Sequence, residues 1–333
     1  MATNHNISLG LCCLNTVLRE PPKKDGKKQE PVFTSRTCRL QTLYEKGVDY
    51  LKELGFKNME DLKKMITWNK ENGIHVFRMS SEMFPHISNP KLFLFDEEKG
   101  REYNSLEWAR EKLAEVGQLA KSLGIRLTFH PGQFNQIGAK DDNVFIKTLI
   151  DLEWHARVLD MLGTDNPVMV IHGGGTYGNK EETIKRWEEN YKKRVPELIK
   201  RFLVLENCEK CYSVEDLLPI CVNCNIPMVY DTHHYSCYTI LHPDEKQKPI
   251  EELIPAILET WKRRGIKPKF HISEQGAGRC GHHSDYIEVI PDHVIEIPEK
   301  YNMSIDLMVE AKMKEQAILR LYEKYGANNF LKM

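Results

Sequence analysis

Residues 168–206 read VMVIHGGGTYGNKEETIKRWEENYKKRVPELIKRFLVLE. Two short β-like apolar runs, 168–172 and 202–206, flank a charged stretch, 181–199, whose apolar positions recur at helical spacing. Strand–helix–strand alternation is the unit of a parallel α/β fold, and here it extends in both directions. Further β-like runs lie at 7–12, 75–79, 125–130, 227–231, 269–273 and 305–310. Helical patterns at 42–54, 106–123, 144–162, 214–221 and 250–261 separate most of them, and another at 312–325 follows the last. Eight strands alternating with helices is the count of a (β/α)8 TIM barrel, with its active site at the C-terminal mouth of the strands. A doubly wound sheet is the competitor that strand count does not separate. The reading is a single TIM-barrel domain over 1–333. It carries a Pro/Lys/Gly loop insertion at 20–36 and an irregular loop at 275–300, between the seventh and eighth strands.

Composition narrows the function classes. The 333 residues are 41% hydrophobic and 29% charged, an ordinary globular balance. Lys and Arg number 47 against 48 Asp and Glu, a net charge of −1, so no global basic field advertises a nucleic-acid partner. A polyanion has to be held by a local patch or by metal ions. No apolar run approaches the roughly 18 residues of a membrane helix, and residues 1–20 lack the pattern of a secretory signal. Nine cysteines over a long chain suit reduced thiols better than a disulfide framework. The expectation is an intracellular protein, cytoplasmic or, in a eukaryote, nuclear, with no membrane partner.

Three motifs fail on context. Residues 276–281 (GAGRCG) match a dinucleotide fingerprint, but His282, His283, Ser284 and Asp285 follow where an apolar helix should open, so no nucleotide cofactor is expected. Residues 172–175 (HGGG) resemble an esterase oxyanion loop, with no G-x-S-x-G to supply a nucleophile. Cys208, Cys211, Cys221 and Cys224 mimic a zinc site. The helical stretch between the pairs would hold them more than about 10 Å apart, whereas one zinc needs sulfurs at about 2.3 Å.

The chemistry lies instead at the strand ends. His130, His172, Glu206, Asp231 and Glu310 stand where apolar runs finish, His234 follows Asp231 by three, and His271 lies within the seventh run. Each alone is an ordinary rim histidine or helix-capping acid. Together at one mouth, such carboxylates would repel unless cations neutralise them. Imidazole with carboxylate suits Zn²⁺ or Mn²⁺. Alternation places Lys269, His271 and Ser273 on one inward face.

The blocks 127–134 (LTFHPGQF), 170–177 (VIHGGGTY), 203–207 (LVLEN), 229–234 (VYDTHH) and 309–316 (VEAKMKEQ) make the chain similar to the ultraviolet-damage endonuclease family. The resemblance implies a TIM barrel related to endonuclease IV, and His130, His172, Glu206, Asp231, His234, His271, His283 and Glu310 as metal ligands, with His282 the alternative to His283. It implies Gln133 and Phe134 as lesion-probing residues and Asn15 as a polar DNA contact, with Leu11 where relatives can carry an aromatic residue. After the second strand, where some relatives place a histidine ligand, the chain offers Glu82 or His86. An ordinary charged Lys269 beside the metals would be repelled, which leaves a salt bridge to Glu310 or Asp231, a neutral amine or, as the resemblance favours, a carbamate.

So read, the chain is a metal-dependent DNA-repair endonuclease. It nicks double-stranded DNA 5′ to ultraviolet photoproducts by metal-hydroxide attack on the phosphodiester. Two or three divalent ions are expected, manganese ahead of zinc. Glu206 is the expected metal bridge, with Lys269 and Glu310 beside it as catalytic candidates. The alternatives are a TIM-barrel sugar isomerase or epimerase, and a lesion-binding protein without cleavage.

Overall fold

The computed structural model describes residues 7–326, apart from 24 and 34, together with 330. Residues 1–6, two positions of the 20–36 loop and the other C-terminal residues of the 1–333 reading lie outside the described residues. Eight strands run in one parallel sheet: β1 (Ile7–Cys12), β2 (Val76–Arg78), β3 (Arg126–Phe129), β4 (Val168–His172), β5 (Leu203–Glu206), β6 (Met228–Val229), β7 (Lys269–Ile272) and β8 (Ile305–Val309). Their order is β6-β5-β4-β3-β2-β1-β8-β7. A bridge between Asp231 and His271 joins β6 to β7, where the His271 N–H donates to the Tyr230 carbonyl at 3.0 Å. The sheet is a TIM barrel, and the doubly wound alternative falls.

Alternation sorts each strand. Leu203, Leu205, Phe270 and Ile272 join the core between sheet and helices, while Val168, Val170, Val204 and Val229 form a separate cluster with Trp261. Phe202, expected in the fifth strand, instead ends the helix Glu197–Phe202. Other boundaries also moved. The apolar stripe expected at 42–54 continues to residue 71 in the 24-residue helix Val48–Glu71, because Leu62, Met65 and Ile66 extend its buried face. The 275–300 stretch carries two short helices, Asp292–Ile295 and Ile297–Tyr301. Among the described residues no helix is long and apolar enough to cross a membrane, and all nine cysteines are free.

Opposite the mouth, the N-terminal end of the barrel is closed by charge. Arg126 of β3 donates to Asp306 of β8 at 2.7 Å and to the carbonyls of Asn166 and Lys267 at 2.6 and 2.9 Å. The Lys267 ammonium takes the other Asp306 oxygen at 2.5 Å. Arg126 and Asp306 are 7% and 2% exposed, so each depends on the other for its lost hydration. Replacing Asp306 by Ala leaves the guanidinium buried and uncompensated. The expected cost is about 3–5 kcal/mol, read as a lower urea midpoint at unchanged m-value.

Candidate metal centre

Glu206 ends β5 with no exposure to water, and imidazoles from four other strand ends surround its carboxylate. His130 Nε2 lies 2.9 Å and His172 Nε2 3.9 Å from Oε2; His271 Nδ1 lies 2.8 Å and His234 Nδ1 3.5 Å from Oε1. Glu310, after β8, places Oε1 3.3 Å from His271 Nδ1, and His283 Nε2 lies 3.9 Å from its Oε2. His282 faces elsewhere: its ring contacts the Ala277 carbonyl and the Arg279 Nε–H. Three sets have donor atoms close enough to share one ion: His130, Glu206 and His271; Glu206, Asp231 and His234; and Asp231, His271 and Glu310.

The donors fit divalent cations on their own chemistry. His130 Nδ1 contacts the Pro131 carbonyl at 3.2 Å, so a neutral ring turns its Nε2 lone pair onto the Glu206 oxygen. A cation or a shared proton between them removes that repulsion. Asp231 caps the helix Thr232–Leu241, Oδ1 accepting from the His234 N–H at 2.7 Å, while its buried Oδ2 has no hydrogen-bond partner among the described residues. Among the described residues the buried His172 Nδ1 also lacks one. The cap and the ligand readings of Asp231 therefore coexist on two oxygens. Cys12 Sγ lies 4.0 Å from Glu310, but burial pushes its thiol up to about 12, leaving a nitrogen and oxygen donor set.

Burial favours neutral groups here, and the charges partly resist it. Burial pushes His172 and His271 down to about 4, against the pull of Glu206. It disfavours ionised Glu206 too, yet the surrounding imidazoles, His271 foremost, hold that carboxyl well below its usual range. Burial would lower His234, but Asp231 and Glu206 raise it well above 6.5. Lys269, fully buried, falls to about 8, first through burial and then through the charge of Arg78. Its Nζ contacts His271 Nε2, and of the three alternatives the salt bridge to Glu310 or Asp231 does not form.

The remaining candidates separate. Gln133 and Phe134 stand exposed on the loop after β3, Phe134 at 66%. That loop is fixed below them. Asn135 donates to Asp151 at 2.8 Å, and Gln136 Oε1 accepts from the Gly175 N–H at 2.8 Å. At Gly174, with φ +91°, an added Cβ would meet the same Gln136 oxygen at 2.8 Å, so the glycine run serves loop packing. Asn15 is 1% exposed and caps the helix Thr16–Arg19, accepting from the Leu18 N–H at 2.8 Å, so it is no surface contact. Leu11 is buried. His86 is committed to the Cys38 carbonyl at 2.8 Å and to Asn89 at 3.2 Å, and Glu82 is exposed outside the ligand sets. The mouth position on β2 belongs to Arg78, which the sequence reading missed. Its guanidinium donates to Glu310 Oε1 at 2.5 Å and to Cys13 Sγ at 3.1 Å. Its place at the end of a β-run was the available clue.

A closed parallel barrel with a buried imidazole–carboxylate cluster at its C-terminal mouth defines a barrel enzyme able to hold divalent cations. The model of the UV-endonuclease UvdE family matches residues 7–332, and the chain belongs to that family of endonucleases. It is 39% identical over 337 residues to a protein of Acanthamoeba polyphaga mimivirus assigned as a UV-damage endonuclease, covering 98% of this chain and 96% of that one. It is 38% identical to the UV-damage endonuclease of Schizosaccharomyces pombe over 96% of this chain, which spans about half (51%) of the yeast protein. The crystal structure of SacUVDE superposes with a TM-score of 0.77 at 25% identity, covering 96% of this chain and 99% of that one.

The lowered histidines set an acid limit. His172, His271 and the buried His155 all sit near 4, burial being the main cause in each. Unfolded, each titrates near 6.5. Between those values the unfolded chain binds more protons, so stability falls as pH falls. His234, raised instead, contributes stability fully present below 6.5, and so adds no slope in this window. The metal-free protein is expected to lose thermal stability steeply from pH 6.5 to 4, and His172→Asn to flatten that dependence. A flat melting profile across the window would contradict the assignment.

Proposed function

We propose that the chain incises double-stranded DNA on the 5′ side of ultraviolet photoproducts, leaving a 3′-hydroxyl. The observation that carries this reading is the exposed Gln133–Phe134 pair, raised on the loop whose other end is the site histidine His130. A probe for damaged stacking and a centre for phosphodiester chemistry thus share one mouth. A cross-linked dinucleotide stacks and pairs poorly, so extruding it costs less than extruding normal bases. Phe134 fills the vacated stack, and Gln133 offers hydrogen bonds to the orphaned partner bases.

His130, His172, Glu206, Asp231, His234, His271, His283 and Glu310 would hold two or three divalent cations, manganese by preference. Cations held there supply charge neutralisation at the phosphodiester and activation of water. Glu206 spans the cluster with two anionic oxygens, and Glu310, oriented by Arg78, closes the β8 side. Lys269 carries a carbamate in this reading. Its neutral amine forms a bond to carbon dioxide and releases a proton, which replaces a buried cation by an anionic donor.

Irradiated and unirradiated plasmid incubated with the protein and Mn²⁺ test the reading. Nicking confined to irradiated plasmid is expected. Glu206→Gln should abolish it and lower bound metal, because an amide offers one neutral oxygen. The Gln133→Ala, Phe134→Ala double variant should keep its metal and lose lesion incision, stacking being worth about 1–3 kcal/mol per base. Equal nicking of both plasmids, or full activity in the double variant, overturns the lesion assignment.

Lys269→Ala should lower metal content and incision together. Protein purified at low pH should regain activity with bicarbonate. An intact-mass spectrum with no carbon dioxide adduct, alongside wild-type metal content in Lys269→Ala, overturns the carbamate.

A further inference from the structure

The chain leaves β8 through Glu310 and turns sharply before its last helix, Glu315–Tyr325. The Gln316 N–H donates to the Met313 carbonyl at 3.0 Å, closing a four-residue turn over residues 313–316. Its second residue is Lys314, at φ 51° and ψ −122°. Those angles are the first central position of a type II′ turn, which glycine dominates because a Cβ there is strained. The turn is tied down on its far side. The buried Glu315 carboxylate accepts from the Thr16 and Val17 N–H groups at 2.8 and 3.0 Å, and Gln316 donates to Thr16 Oγ1 at 2.7 Å. A lysine thus occupies a position where its backbone would be better served by glycine.

Its ammonium does not repay that strain with an ion pair or a hydrogen bond among the described residues. Neighbouring cations are engaged: Arg78 with Glu310, Lys269 with His271, and Lys312 with Asp285 at 4.0 Å. Lys314 is half-buried, and its charge reaches the Cys12 thiol beside Glu310. An unmatched cation held at the rim of a site for a polyanion has a natural counter-charge outside the protein.

We propose that Lys314 is a phosphate-contacting residue, held by the strained turn beside Glu310 so that its ammonium meets the DNA backbone next to the incised bond. This rests on the DNA reading above, and deepens it by assigning a backbone contact that no ligand or lesion probe supplies.

The test uses metal-loaded protein and a photoproduct-containing duplex, with binding measured across a salt series beside single-turnover incision and melting temperature. Lys314→Gly relieves the turn, so its melting temperature should equal or exceed that of the wild type, with metal content unchanged. Its duplex affinity should fall about tenfold, and the slope of log K against log salt should shrink by about 0.9, the value of one phosphate contact. Lys314→Arg should keep affinity within about twofold, since it keeps the charge. An unchanged slope in Lys314→Gly, beside a wild type that binds and incises, overturns the assignment of Lys314 alone. Loss of metal in Lys314→Gly also overturns it, by making the lysine structural. A wild type that neither binds nor incises the duplex brings down the DNA reading with it.

Discussion

A carboxylate without water is the constraint on which this structure turns. Glu206 is wholly buried, and an ionised carboxylate in that position is tenable only with compensating positive charge or hydrogen-bond donors on both oxygens. Four imidazoles from four other strand ends surround it, and where a neutral ring turns a lone pair onto the carboxylate a cation or a shared proton has to complete the shell. No local segment can assemble it, because the donors are separated by tens of residues and meet only when the barrel closes. The short bridge between Asp231 and His271 is therefore part of the site as well as of the sheet.

The interior of the barrel is graded along its axis. Charge at the N-terminal end is consumed by the Arg126–Asp306–Lys267 cluster. Valines of β4, β5 and β6 fill one side of the middle, with Lys269 buried on the adjacent β7. Imidazoles and carboxylates crowd the mouth. The apolar middle lowers the local dielectric beneath the mouth, which sharpens every electrostatic interaction there. It is also why burial outranks neighbouring charge in displacing His172, His271 and Lys269. Groups able to hold a cation are held neutral or anionic, and the buried lysine is kept where its amine can lose its proton.

The loops divide the remaining work. Residues 131–136 are anchored through Asn135 and Gln136, which leaves Gln133 and Phe134 free to face outward. Residues 311–316 are anchored through Glu315, which leaves Lys314 free on a turn suited to glycine. In both loops a polar side chain held by hydrogen bonds fixes the backbone of a neighbour whose own side chain is left at the rim.

The sequence by itself determined where the strands lie and the imidazole and carboxylate residues at their ends, because a two-residue alternation that finishes on His, Glu or Asp is a local pattern. It located His130, His172, Glu206, Asp231, His271 and Glu310 correctly at one mouth. Tertiary structure decided the rest. Arg78 shares their inward register, yet arginine carries no ligand signature, and only its contact with Glu310 reveals its place. Asn15 offered a polar side chain whose use as a helix cap depends on where the following turn goes. His86 looked like a donor until its ring met the Cys38 carbonyl, 48 residues away in the chain. The helix over Thr232–Leu241 hid behind polar residues, since it packs through His233, His234, Cys237 and Tyr238 rather than an aliphatic stripe. Local periodicity reports which face of a segment is buried. What that face is buried against, and whether a polar atom there is already satisfied, is fixed only when distant segments meet.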